Sequence, residues 1–151
     1  MKINSDAAVF NNGKIGLGCV LRDEQGSVCL ASCHSFDAVS DITMAEALAA
    51  RFSLFVALDT GFSKVILEVD CLNLFYKLMN RTRVYNALGI ILNDIFSLYC
   101  LFVSLDFSFV RRTGNKVAHV LANSSRDFED VRVWSDVIPP MIFDVVAFDA
   151  S

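Results

Sequence analysis

The chain has 151 residues, the size of one ordinary domain, and an apolar fraction of 54% with thirteen Phe supplies a substantial aromatic core that excludes a disordered protein. A formal net charge of −4 argues against nucleic-acid binding through overall charge, because phosphate binding rests on Lys and Arg. It leaves room for a local basic patch, or for metal ions to do that work.

Residues 2–10 read as a first strand, and Asn11-Asn12-Gly13 then supplies residues that tolerate positive φ, so a tight hairpin is expected. Residues 15–22 alternate, with Ile15, Leu17, Cys19 and Leu21 on one face. Gly16 and Gly18 share the other face, where something must pack closely. After the turn Asp23-Glu24-Gln25-Gly26, residues 27–34 make a third strand and complete an antiparallel meander. Residues 35–41 read as a loop. A helix is predicted over 44–59, opened by the capping-box pattern Thr43-x-x-Glu46, with Leu48, Phe52, Phe55 and Val56 as its core stripe. Lys64-Val65-Ile66-Leu67-Glu68-Val69-Asp70 reads as a buried strand ending on an acid, reached through a right-handed crossover and so parallel to the first strand. A short helix over 71–79 is expected to turn Leu72, Phe75, Leu78 and Met79 inward. A polar loop, Asn80-Arg81-Thr82-Arg83, precedes a helix over 87–100 with Leu88, Ile91, Leu92, Ile95, Leu98 and Tyr99 at helical spacing. A last strand spans 103–111 and a last helix 116–126. The order βββαβααβα predicts an α/β fold: one five-stranded mixed sheet with helices on both faces. Residues 1–130 are expected to form the domain and residues 131–151 a C-terminal tail.

Cys19, Cys29, Cys33, Cys71 and Cys100 form no C-x-x-C pair, which suits reduced thiols in an intracellular compartment, cytosolic or nuclear. Met1-Lys2-Ile3-Asn4-Ser5-Asp6 does not read as a signal peptide, and no run of about 18 apolar residues reads as a membrane span.

Three carboxylates fall at meaningful places in this order. Asp6 lies in the first strand, Glu46 in the first turn of the first long helix, and Asp70 at the end of the strand beside the first. Each has a purely structural reading: Asp6 facing water, Glu46 closing its capping box, Asp70 capping the next helix. Their joint placement is harder to attribute to three unrelated caps. Clustered carboxylates repel and need a cation, and hard oxygen ligands without clustered His or Cys point to Mg²⁺ or Mn²⁺. Two such ions about 4 Å apart can serve phosphodiester hydrolysis. Arg111, Arg112, Asn115 and Lys116, beside the last strand and helix, are the candidates for nucleic-acid contact.

The ordered pieces Lys2-Ile3-Asn4-Ser5-Asp6-Ala7-Ala8, Gly16-x-Gly18-x-x-x-Arg22-Asp23-x-x-Gly26, Ala45-Glu46-Ala47-x-Ala49, Leu67-Glu68-Val69-Asp70-Cys71 and Phe109-Val110-x-Arg112-x-x-Asn115-x-x-Ala118-His119-x-Leu121-Ala122 carry a resemblance. The sequence resembles the ribonuclease H type 1 fold over about residues 2–127. It looks most like the plant ribonuclease H-like domains at the ends of non-LTR retrotransposon reverse transcriptases and in free-standing relatives. The resemblance implies that Asp6, Glu46 and Asp70 hold two Mg²⁺ ions and cut the RNA strand of an RNA–DNA hybrid. It also implies a monomer or a module of a larger polyprotein. The resemblance also makes His119 a candidate catalytic residue: it stands where cellular members usually carry a fourth acid and the plant branch commonly carries His, although it also reads as a plain surface helix residue. The family's flexible loop is shortened to Arg112-Thr113-Gly114-Asn115, and Ala7 replaces a usual Gly. Arg81 and Arg83 fall where cellular relatives carry a basic protrusion. Two further readings follow from these departures and from the aromatic surplus: a non-catalytic nucleic-acid-binding relic of the same fold, and a protein-interaction module.

Overall fold

The computed structural model describes residues 1–38 and 40–149. Its elements are β1 (Lys2–Val9), β2 (Lys14–Arg22), β3 (Val28–Asp37), α1 (Ile42–Asp59), β4 (Lys64–Val69), α2 (Leu72–Met79), α3 (Ala87–Tyr99), β5 (Ser104–Phe109), α4 (Lys116–Ser124), β6 (Arg132–Ser135) and α5 (Phe143–Asp149). The strands form one sheet in the order β5-β4-β1-β2-β3-β6. Gly13 turns the first hairpin at φ 77°, where a Cβ would be strained, and Phe10 N donates to Lys14 O at 2.8 Å to close it. The α1 crossover returns the chain to the far side of β1, so β4 pairs with β1 in parallel, with Asn4 opposite Glu68.

Alternation along the strands divides the sheet's two faces. Ile3, Cys19, Leu21, Val65, Leu67 and Val69 point to one side, into the main core with α1, α2 and α3. Val20, Ala31 and Cys33 point to the other and pack against Val117, Ala118 and Leu121 of α4 and against Ile142. Gly16 and Gly18 seat α4. A Cβ on Gly18 would run into Ala118 O and lie 2.5 Å from Ala122 N, and one on Gly16 would strike Ala122 O. The close packing expected on that face is therefore helix backbone lying on glycine.

The structure differs from the sequence expectation in four places. The sheet has six strands rather than five, because Arg132–Ser135 pairs antiparallel with Leu30–Cys33 at the edge. Four residues are too few for alternation to register, and Val133-Trp134 breaks it. Of the expected tail, residues 132–149 thus contribute a strand, a 3-10 turn at Pro140–Ile142 and a helix, while Ala150 and Ser151 lie outside the described residues. β3 continues to Asp37, because Ser35 and Phe36 still find partners in Gly16 and Ile15, so the expected 35–41 loop is shorter; Val39 within it lies outside the described residues. On α1 the buried residues include Ala45, Ala47, Ala49, Ala50, Leu54, Val56 and Ala57, whereas Phe55 is exposed. Small side chains let this helix approach the sheet, and the larger ones are displaced to its flanks. On α2, Leu74 and Leu78 are buried while Leu72 and Met79 are exposed, a rotation of the stripe expected from sequence.

Candidate active site

β1 carries Asp6 on the face turned toward α4, and the parallel strand β4 runs out beside it into Asp70. From the other side of the sheet, α1 brings Glu46 up against β1, where Glu46 Oε1 accepts from Ala7 N at 3.4 Å. One carboxylate oxygen from each of Asp6, Glu46 and Asp70 lies within 4.8 Å of the others. These acids, with Ala45, Arg112 and His119 among their neighbours, line a cavity of about 250 Å³.

Two structural readings of the acids do not hold. Asp41, not Thr43, caps α1: its Oδ1 accepts from Met44 N at 2.8 Å, which places Glu46 beyond the capping turn. Cys71 stands at the N-cap of α2 and no side chain caps that helix, so Asp70 is not spent on a cap. Asp41 and Thr43 are both favoured N-cap residue types, the capping-box pattern points to Thr43, and the actual start of the helix selects Asp41.

Asp6 and Glu46 are only 4% and 5% exposed, and Glu46 Oε2 is buried with no hydrogen-bond partner. Burial, reinforced by the charges of Asp6 and Asp70, pushes the Glu46 carboxyl up to about 10. Asp70 is raised as well, by burial and then by Asp6, against the opposing pull of the Asn115 amide, Arg112 and His119. Three oxygen donors, one of them an orphaned buried atom, in a pocket that penalises their shared negative charge, fit a hard divalent cation. Among the described residues this is the one such group of three or more metal-binding side chains.

His119, on the exposed side of α4, places Nδ1 2.9 Å from Asp6 Oδ2. It therefore reaches the cluster by touching one of its acids. The four residues expected to meet nucleic acid do not all face outward. Arg111, Arg112 and Lys116 are exposed, and Lys116 lies 5.0 Å over the Phe148 ring. Asn115 is buried at 1% exposure, and its Nδ2 donates to Ser5 O at 2.9 Å, which joins the start of α4 to β1. The loop before α4 is a single 3-10 turn, Arg112–Gly114. Arg81 stacks over Tyr99 and Phe96 at 4.7 and 5.2 Å, and together with Arg83 and Tyr85 lines a separate cavity of about 440 Å³. His34 packs at a tilt against the Phe36 and Phe52 rings, with centroids 5.2 and 6.1 Å away, a structural position. One site neighbour went unseen in the sequence. Asn123 Nδ2 lies 3.3 Å from His119 Nε2, and the only local sign of it is an i, i+4 spacing on one helix.

The sequence profile of the reverse transcriptase-like family matches residues 4–125. No curated protein sequence matches the chain. Among solved structures, the ribonuclease H1 of the halophilic archaeon Halobacterium salinarum aligns with TM-score 0.77 at 23% identity, covering 83% of this chain and 96% of that one. LC11-RNase H1, solved in complex with RNA/DNA hybrid, aligns with TM-score 0.75 at 22% identity over 83% of this chain and 96% of its own. The foamy viral protease-reverse transcriptase in complex with RNA/DNA hybrid aligns with TM-score 0.65 at 14% identity, over 82% of this chain but 19% of that larger one. On the profile match the chain belongs to the reverse transcriptase-like family, and it has the ribonuclease H-like fold.

Proposed function

We propose that the protein is a divalent-metal-dependent endonuclease that hydrolyses the RNA strand of RNA–DNA hybrids. The observation that carries this reading is the convergence of Asp6, Glu46 and Asp70 within 4.8 Å, with Glu46 Oε2 buried and unpartnered. Mg²⁺ or Mn²⁺ ions held by these three acids would supply water activation and stabilisation of the leaving oxygen. Asp6 lies in β1 and Asp70 directly follows the parallel neighbour β4, so the sheet sets where the two acids meet. Ala7 N holds Glu46 Oε1 and leaves Oε2 buried without a partner. Asn115 favours the ionised form of Asp70, and His119 restrains Asp6. Arg112 lines the cavity and offers a guanidinium to a substrate phosphate, with Arg111 and Lys116 exposed nearby. Few cations surround the site, so hybrid binding is weak and salt-sensitive, and attachment to a larger polymerase-like chain would compensate by raising effective concentration. The motif set favours the plant branch related to non-LTR retrotransposons, and the larger chain of the foamy viral relative accords with a module of a polyprotein. No helix of the described residues is long and apolar enough to cross a membrane, and all five cysteines are free, in keeping with an intracellular setting.

Incubation with a labelled RNA–DNA hybrid and Mg²⁺ or Mn²⁺ tests this directly. Cleavage that disappears in Asp70→Asn supports it; cleavage undiminished in that variant, or none with either metal, defeats it. One observation favours a second reading, a catalytically weak or inactive nucleic-acid-binding module: His119, not an acid, completes the site, and the preceding loop is a single turn. Hybrid binding that falls steeply with salt, without cleavage, would select it.

A further inference from the structure

We propose that Asn123 is a positioning residue that holds the His119 ring with its Nδ1–H turned toward Asp6. Three contacts on one helix face carry the inference. Asn123 Nδ2 lies 3.0 Å from His119 O, four residues back on α4. A carbonyl oxygen only accepts, so the atom facing it is the amide NH₂ and the orientation of the Asn123 side chain is settled. The same nitrogen lies 3.3 Å from His119 Nε2. An amide NH₂ only donates, so Nε2 presents its lone pair there. On the opposite edge of the ring, Nδ1 is 2.9 Å from Asp6 Oδ2, a carboxylate oxygen that accepts. One arrangement satisfies all three contacts: hydrogen on Nδ1, none on Nε2. The His119 side chain is 65% exposed, whereas that of Asp6 is 6% exposed, so packing alone does not hold the ring and the hydrogen bonds must.

The arrangement gives His119 a specific part. Its lone pair faces Asn123 and its N–H faces Asp6, so in this geometry it donates to a site acid, and the hydrogen bond selects which oxygen of Asp6 stays open to the cavity. Asn123 does not touch the cavity itself; it acts through the ring. The kinetic consequence rests on the hybrid-cleavage reading above, while the tautomer does not.

The experiment is ¹⁵N NMR of histidine-labelled protein, with His34→Gln to assign the second ring. The expected wild-type spectrum shows His119 with Nδ1 protonated and Nε2 bare. Asn123→Ala should move the ring to predominantly Nε2–H. Asn123→Leu, nearly isosteric and a good helix former, should do the same, which separates the lost donor from a lost fold. A wild-type His119 that is mainly Nε2–H, or a tautomer unchanged in both variants, overturns the proposal. If hybrid is cleaved, Asn123→Ala should lower kcat about 10-fold with KM unchanged, and should add nothing in a His119→Ala background. An equal fall in both backgrounds also overturns it. A wild-type protein that cleaves no hybrid defeats the functional reading and leaves the tautomer measurement to decide this one.

Discussion

The two helices that flank β1 reach the acid cluster by opposite means. α1 lies on the sheet through alanines and delivers Glu46, an acid at 5% exposure with one oxygen unpartnered. α4 lies on the sheet through Gly16 and Gly18 and delivers His119, an exposed ring already hydrogen-bonded on both edges. The first side accumulates electrostatic cost that a retained proton or a cation would relieve. The second side is satisfied as it stands, and its contribution is geometric. The difference teaches that the site's ligand set and its alignment are separable, and changes on the two sides should fail in different ways.

The largest effect is expected from the acids themselves. Asp70→Asn should reduce hybrid cleavage about 100-fold or more, above the range typical of indirect neighbours, while leaving the fold intact by circular dichroism. On the α4 side the largest effect should be on stability. Ile142 is fully buried against Val117, Ala118 and Leu121, so Ile142→Ala should cost about 2–5 kcal/mol in urea unfolding. An unchanged slope against urea would show that this segment unfolds together with the sheet. Gly18→Ala sharpens the same point from beneath the helix. The added methyl meets helix backbone, which must shift, so a cost of about 1–3 kcal/mol is expected together with a weakened His119–Asp6 contact, seen as a change in the His119 ring signals.

The pattern of what could be read from sequence follows the same division. Local signals were sufficient for the order of elements up to α4, for close packing on the Gly16 and Gly18 face and for the convergence of Asp6, Glu46 and Asp70, because each rests on alternation, turn chemistry or an ordered motif. They were insufficient wherever a contact between distant segments decides. β6 is a strand because β3 has an open edge, not because Arg132–Ser135 carries a strand pattern. Phe52 and Phe55 follow a helical stripe, yet alanines face the sheet because close approach rewards small side chains. Asn115 sits among basic residues and reads as surface, but Ser5 O draws its amide inward. Asn123 has no meaning until His119 Nδ1 is seen to face Asp6.

Metal binding by the acid cluster is the claim on which the rest depends, and its linkage to protons gives it a sign. The Glu46 carboxyl is raised from 4.5 to about 10, and Asp70 is raised too, so the folded metal-free protein keeps protons that the unfolded chain has lost. Its stability should therefore fall as pH rises between about 4.5 and about 10, and bound cation should offset that loss by displacing the proton. The most direct measurement is a Mn²⁺ titration of the metal-free protein at neutral pH, following proton release and Tm together, in wild type and Glu46→Gln. Proton release with a rise in Tm in wild type, both abolished or sharply reduced in Glu46→Gln, is the expected result. A wild-type protein that binds no Mn²⁺, or one whose response Glu46→Gln leaves unchanged, would contradict it.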